Sequence, residues 1–421
     1  MSTNVNAKMR AGMREATRLT KAGNLHEATA AIQRALRGTP APTAAAPNAA
    51  ADTRNAPIDS TCRVIEADVL PPPSDAAMKQ AQQARRPAPP AGVRTPSSRQ
   101  RRAYIKPVTR PAPAPERARD VDSGARFIAR SYSNHAGTRA YKLYIPSHYR
   151  GQALPLIVML HGCTQDPDDF AAGTCMNALA EEHCCFVAYP AQSSAANPTK
   201  CWNWFKASDQ QRNQGEPSLI AGITQEIISD YSIDPRRVYV AGLSAGGAMA
   251  AVMGMTYPDL YAAIGIHSGL PYAAASDLPS AFMAMNQCGI PMGSPADKCV
   301  APTERSRVVP AIVFHGDRDT TVHPRNGDQV IAQWATLHAS DKAKAATKLR
   351  VTVHEGQAPH GHAYTRAIYQ DANSQALLEQ WRIHGAGHAW SGGSSSGSFT
   401  DPKGPDATRE MVRFFYDHAR D

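Results

Sequence analysis

The sequence predicts an α/β fold, with a mostly parallel sheet covered by helices on both faces. Three observations carry this. Continuous apolar runs recur, such as Pro155-Leu156-Ile157-Val158-Met159-Leu160 and Val309-Pro310-Ala311-Ile312-Val313-Phe314, and a strand apolar on both faces has to be buried on both. Helical stretches such as residues 219–231 separate those runs, which is the alternation of a parallel sheet. Val238-Tyr239-Val240 then leads directly into Gly242-Leu243-Ser244-Ala245-Gly246-Gly247 and a small-residue helix, so one strand ends in a tight, Gly-flanked turn.

In chain order, residues 1–38 read as a helical hairpin. Met9, Met13, Ala16 and Thr20 keep helical spacing, Gly23-Asn24 breaks it, and Leu25, Ala28, Ile32 and Leu36 resume it. Two such helices bury little alone, so they read either as a docking element or as a hairpin packed on the following domain. Residues 39–122 shift to Pro, Ala, Arg and Ser, with Pro71-Pro72-Pro73 and Pro87-Ala88-Pro89-Pro90, and are expected to be a disordered linker. Residues 123–421 are expected to form one α/β domain. Its strands are expected at 139–145, 155–160, 185–189, 238–240, 262–266, 309–314 and 376–383, and an amphipathic helix at 407–418 closes it.

Charge follows the same division. Residues 1–119 carry 20 Lys and Arg against 8 Asp and Glu, whereas the remainder carries 25 against 28, so the net +9 belongs to the tail. Tyr104 alone interleaves aromatically with the linker arginines, which gives nucleic-acid binding little support. No apolar core follows Met1-Ser2-Thr3-Asn4 and no run of 18 apolar residues occurs, so neither a signal peptide nor a membrane span is expected and the location is read as cytoplasmic. The eight cysteines leave the redox compartment open. Cys184-Cys185 reads as two small buried hydrophobes, and Cys288 with Cys299 is the pair most suspected of bonding.

The turn at Ser244 reads as a nucleophile elbow, with the hydroxyl held exposed above the sheet. A serine needs a general base held by an acid, and these should follow later strands in the order Ser, Asp, His. Phe314-His315-Gly316-Asp317-Arg318-Asp319 offers two acids. Asp319 is preferred because a residue beyond the strand end can turn back toward the elbow, while Asp317 shapes the turn beside Gly316. His384-Gly385-Ala386-Gly387-His388 offers two bases, with His388 preferred in its Gly-flanked loop; His360 and His362 are outside candidates. The oxyanion donors are expected to be the backbone N–H of Ala245 and that of Cys163, beside Gly162. Trp202, Trp204, Phe205 and Trp390 are expected to line an apolar substrate crevice. Residues 268–307 are long for a connection and are read as a cap.

Five segments together resemble the esterase/poly(3-hydroxybutyrate) depolymerase family of α/β-hydrolases: Leu160-His161-Gly162-Cys163-Thr164-Gln165, Cys201-Trp202-Asn203-Trp204-Phe205, the Ser244 elbow, His315-Gly316-Asp317-Arg318-Asp319 and Gly387-His388-Ala389-Trp390-Ser391-Gly392-Gly393. The resemblance covers roughly residues 125–418 and is most like the intracellular depolymerases whose catalytic domain is of the extracellular type. It implies an α/β-hydrolase fold, Ser244 as nucleophile, Asp319 as acid and His388 as base. It also implies an ester substrate of polyester type, with no metal or organic cofactor. The N-terminal region lies outside the resemblance; its basic tail and hairpin make a polyhydroxyalkanoate granule surface its expected partner, with an extracellular setting as the alternative. Feruloyl or acetyl esters of carbohydrate are the alternative substrates, and a granule coat with slight catalysis is the alternative role.

Overall fold

The structure is a computed structural model, and it describes residues 61–64, 124–286, 307–340 and 349–420. The expected helical hairpin, most of the expected linker and the Cys288–Cys299 pair lie outside the described residues.

An eleven-stranded sheet organises the chain. In chain order its strands are β1 (Thr61–Val64), β2 (Arg126–Asn134), β3 (Gly137–Ile145), β4 (Leu154–Leu160), β5 (Phe186–Pro190), β6 (Ile233–Leu243), β7 (Ala263–His267), β8 (Ala311–Gly316), β9 (Arg350–Gln357), β10 (Ala363–Gln370) and β11 (Ala376–Ile383). Their spatial order is β1-β9-β10-β11-β8-β7-β6-β4-β5-β3-β2. The six central strands, from β11 to β5, run parallel; both flanks pair antiparallel.

The apolar runs account for the centre. Every residue of β4 is buried, and its side chains alternate between two cores. Leu156, Val158 and Leu160 belong to one core, with α3 (Gly215–Asp230), α4 (Ala245–Thr256) and α6 (Arg325–Ser340). Ile157 and Met159 face the other, with α1 (Pro167–Thr174), α2 (Met176–Glu182) and α7 (Ala407–Tyr416). A further helix, α5 (Leu278–Asn286), follows β7 inside the segment read as a cap.

The differences from expectation lie on the flanks. Thr61–Val64, inside the segment expected to be disordered, pairs antiparallel with β9 at the edge of the sheet. Strands β2, β9 and β10 are half-buried, polar-rich ribbons without an apolar run, so no periodicity exposed them. Of Cys184-Cys185, only Cys185 is fully buried; Cys184 occupies a left-handed turn with φ 49°. No helix among the described residues is long and apolar enough to cross a membrane.

Candidate active site

Four loops at the carboxyl ends of parallel strands, those after β4, β6, β8 and β11, build the site. Ser244 sits between β6 and α4 with φ 57° and ψ −117°, a conformation that costs energy in a non-glycine residue and persists only where its surroundings dictate it. Here they do. The Ser244 N–H donates to the His267 carbonyl at 2.9 Å, which pins the elbow to the end of β7. A Cβ on Gly242 would run into the backbone of Gly246, and one on Gly246 into the Leu160 carbonyl. Glycine is therefore required on both sides of the serine for the close approach of strand, turn and helix. Ala245 opens α4, so its N–H belongs to the first turn, where no carbonyl one turn earlier accepts it.

The loop after β4 lies against this elbow. A Cβ built on Gly162 would stand 3.7 Å from the Ser244 Cβ. Several ties fix its path. Gly162 N–H donates to Gln165 Oε1 at 2.9 Å, and Gln165 Nε2 donates onward to Asp169 at 2.9 Å. His161 Nε2 accepts the Gln192 N–H at 3.0 Å, so its proton rests on Nδ1, which donates to the Gly162 carbonyl at 2.7 Å. Burial pushes this imidazole down to about 4. Cys163 forms a disulfide with Cys201, and Thr164 N–H donates to the Thr199 carbonyl at 2.7 Å. The Cys163 sulfur is thus no free thiol, while its backbone is anchored from two directions.

Asp319 follows β8 and is buried. Its Oδ1 accepts two backbone N–H groups, from Thr321 and Val322, both at 2.9 Å. Its Oδ2 faces His388 Nδ1 at 2.7 Å and His315 Nε2 at 3.3 Å. Burial alone would raise this carboxyl, but the two histidines outweigh it and hold it far below the usual carboxylate range. With Nδ1 engaged by Asp319, Nε2 is the nitrogen His388 has for a serine.

The neighbouring candidates are engaged elsewhere. Asp317 accepts the Gly385 N–H at 2.7 Å and faces His384 Nδ1 at 3.1 Å, and His384 Nε2 contacts Thr365 Oγ1 at 2.8 Å. Both ring nitrogens of His384 are therefore occupied, and the pair staples the start of the His388 loop to the end of β8. His362 pairs with Asp401 at 2.9 Å, and His360 is exposed in the β9–β10 turn.

The aromatic residues require a correction. Trp202, Trp204 and Trp390, expected to line a substrate crevice, are all in the core. Trp202 Nε1 donates to the His161 carbonyl at 3.1 Å, so its ring backs the loop after β4. Trp204 packs edge-on against the half-buried Phe205, 5.6 Å between centroids. Trp390 Nε1 donates to Thr408 at 2.9 Å while its ring stacks on His267 at 5.1 Å. Each indole is enclosed and anchors a loop by its apolar surface, and the N–H groups of Trp202 and Trp390 find partners inside, which makes these rings supports for the site rather than its lining.

One supporting residue and one covalent bond are not legible in the sequence. His267 lies between Phe314 and Trp390, and its Nε2 accepts the Ser391 N–H at 3.0 Å, holding the backbone three residues beyond His388. Burial, with the nearby His315 and His388, pushes it down to about 3. The Cys163–Cys201 bond was also missed, since eight cysteines permit too many pairings for spacing to choose one.

Comparison with known proteins agrees with this architecture. A poly(3-hydroxyalkanoate) depolymerase C of Paucimonas lemoignei is 36% identical over 262 residues, which is 61% of this chain and 60% of that protein. A poly(3-hydroxybutyrate) depolymerase of Ralstonia pickettii is 29% identical over 57% of this chain and 48% of that protein. The chain thus spans from about half to three fifths of the length of these curated relatives. Among solved structures, an acetyl xylan esterase from Aspergillus awamori matches with a TM-score of 0.53 at 20% identity, over 69% of this chain and 99% of that one, which shows the α/β-hydrolase fold. The family profile described as esterase PHB depolymerase matches residues 139–358, from β3 through the Ser244 elbow and Asp319 to the end of β9, and by that match the chain belongs to this family.

Proposed function

We propose that the protein is a serine esterase that hydrolyses poly(3-hydroxybutyrate) or its oligomers through Ser244, His388 and Asp319. The observation that carries this reading is the 2.7 Å contact between His388 Nδ1 and Asp319 Oδ2, two strands along the sheet from a serine in a strained elbow. His388 Nε2 takes the Ser244 proton as Oγ attacks the ester carbonyl, and Asp319 stabilises the resulting imidazolium. The Cys163 and Ala245 N–H groups hold the oxyanion, a contribution of about 10²–10³-fold per donor in comparable sites. The tetrahedral intermediate collapses to an acyl-enzyme, and the departing alcohol takes the proton from His388. Water, deprotonated by the same imidazole, then releases the carboxylic acid and restores Ser244.

The polymer part of this reading rests on the surface near the site. Leu278, Phe282 and Met283 are exposed on α5, which reaches the Asp319 side through the His323 N–H donating to the Met285 carbonyl at 2.8 Å. Phe399 is exposed beside the Trp390 N–H that its carbonyl accepts at 2.7 Å. Apolar groups placed on both segments suit a water-insoluble ester. The Cys163–Cys201 bond favours an oxidising compartment, and so the extracellular alternative over a cytoplasmic granule surface.

The test is ester release from amorphous poly(3-hydroxybutyrate), methyl ferulate and acetylated xylan by the intact protein and by Ser244→Ala. Release from the polyester, abolished in the variant, is expected. Turnover confined to ferulate or acetylated xylan would move the protein to the carbohydrate esters, and undiminished turnover by Ser244→Ala would overturn the mechanism.

A further inference from the structure

We propose that His315 is a positioning residue for the reaction, holding the Asp319 carboxylate in the orientation that His388 requires. The proposal rests on Asp319 being the acid of the triad. His315 is on β8, four residues before Asp319, and its side chain is buried. Its Nε2 lies 2.9 Å from the Val322 carbonyl and 3.3 Å from Asp319 Oδ2. Both neighbours only accept, so Nε2 carries the hydrogen, directed chiefly at Val322 with its positive end against the carboxylate.

The other ring nitrogen indicates that the imidazole is not mere filler. His315 Nδ1 is buried and has no hydrogen-bond partner among the described residues. An unpaired buried polar atom costs stability, and a leucine or phenylalanine would fill the same space without it. Room for the ring depends on Gly327 in α6, where a Cβ would stand 3.0 Å from Nδ1. The compensating gain is at Oδ2. Two backbone N–H groups fix Oδ1, but among the described residues Oδ2, the oxygen that meets His388, has only the two histidines. Through Val322, whose N–H binds Oδ1 and whose carbonyl meets Nε2, the ring also closes the turn around the carboxylate. The charged or titratable groups facing this turn are His315 on β8 and His388 after β11, with His267 of β7 next to both.

The experiment measures kcat and KM for a soluble ester, p-nitrophenyl butyrate, across pH for His315→Leu and His315→Gln beside Ser244→Ala. The amide of glutamine keeps a donor near the Nε2 position; leucine does not. The leucine variant should lose ten- to a hundredfold in kcat with KM within about twofold. The acidic limb of its kcat/KM profile should move to higher pH, because a carboxylate with one donor fewer holds the imidazolium more tightly. The glutamine variant should recover most of kcat and the original limb. Equal activity of the two variants, or equal losses with an unmoved limb, would reduce His315 to packing. Should the leucine variant fail to fold, His315→Met replaces it with the same expectations. Turnover surviving in Ser244→Ala would instead sink the triad itself, a result distinct from a silent His315 variant.

Discussion

Gly246 meets the Leu160 carbonyl with no space for a methyl group between them. The contact presses the helix that follows Ser244 onto the strand that leads into the Gly162–Cys163 loop, so the serine and the proposed oxyanion donors share one rigid joint. The atoms that a Cβ would strike, in the Leu160 and His161 carbonyls, are all backbone, and none can yield cheaply. Gly246→Ala is therefore expected to destabilise the protein by about 3 kcal/mol. Urea denaturation checks this; an unchanged midpoint would show that the joint has slack.

The Cys163–Cys201 bond closes a loop with a sequence separation of 38 residues, for which chain entropy gives roughly 4 kcal/mol of stabilisation. It also anchors the residue whose N–H is proposed to hold the oxyanion. Cys201→Ser should lower the melting temperature and reduce kcat about tenfold with little change in KM. Loss of stability at constant kcat would confine the bond to a structural role.

Asp317 and Asp319 are expected to separate cleanly on mutation. Asp319→Asn removes the partner of His388 Nδ1 and should cut kcat by about 10⁴. Asp317→Asn loosens only the staple to His384 and Gly385, so less than a tenfold loss is expected. Steady-state rates on a soluble ester distinguish the two, and reversed magnitudes would exchange the assignment of the acid.

Glu181 carries a pH-dependent part of the stability. Burial would raise its carboxyl, but the Ser147 hydroxyl and N–H and the Tyr144 hydroxyl, at 2.6 Å, lower it to about 2. A carboxyl depressed in the folded state stabilises fully above its unfolded value near 4.5 and loses that contribution as pH falls toward 2. Glu181→Gln should thus be less stable than the parent at pH 6, with the gap closing by pH 2. A gap independent of pH would mean that the ionised form contributes nothing.

Phe282 and Met283 test the polymer surface. Replacing both exposed side chains by serine should depress release from solid poly(3-hydroxybutyrate) severalfold and leave p-nitrophenyl butyrate turnover within about twofold. Parallel changes on both substrates would remove α5 from polymer contact.

The sequence by itself determined the centre of the protein. Unbroken apolar runs at β4, β5 and β8 can only be strands buried on both faces, and Gly242-Leu243-Ser244-Ala245-Gly246 can only turn where backbones touch. Both signals are local, so they survive in one dimension, and they carried the order of Ser244, Asp319 and His388 along the chain. The tertiary structure decided whatever depends on distant partners. Asp317 and Asp319 differ little in sequence context, yet one faces His384 and the other His388, because two loops from different strands meet in one register. The three tryptophans were aromatic residues near functional motifs in either case; only the packing of α7 and of the loop after β4 shows that their rings are enclosed. The same holds for His315, whose neighbour Val322 lies seven residues away, and for Cys163, whose partner lies 38 away: chain folding, not local propensity, brings each pair together.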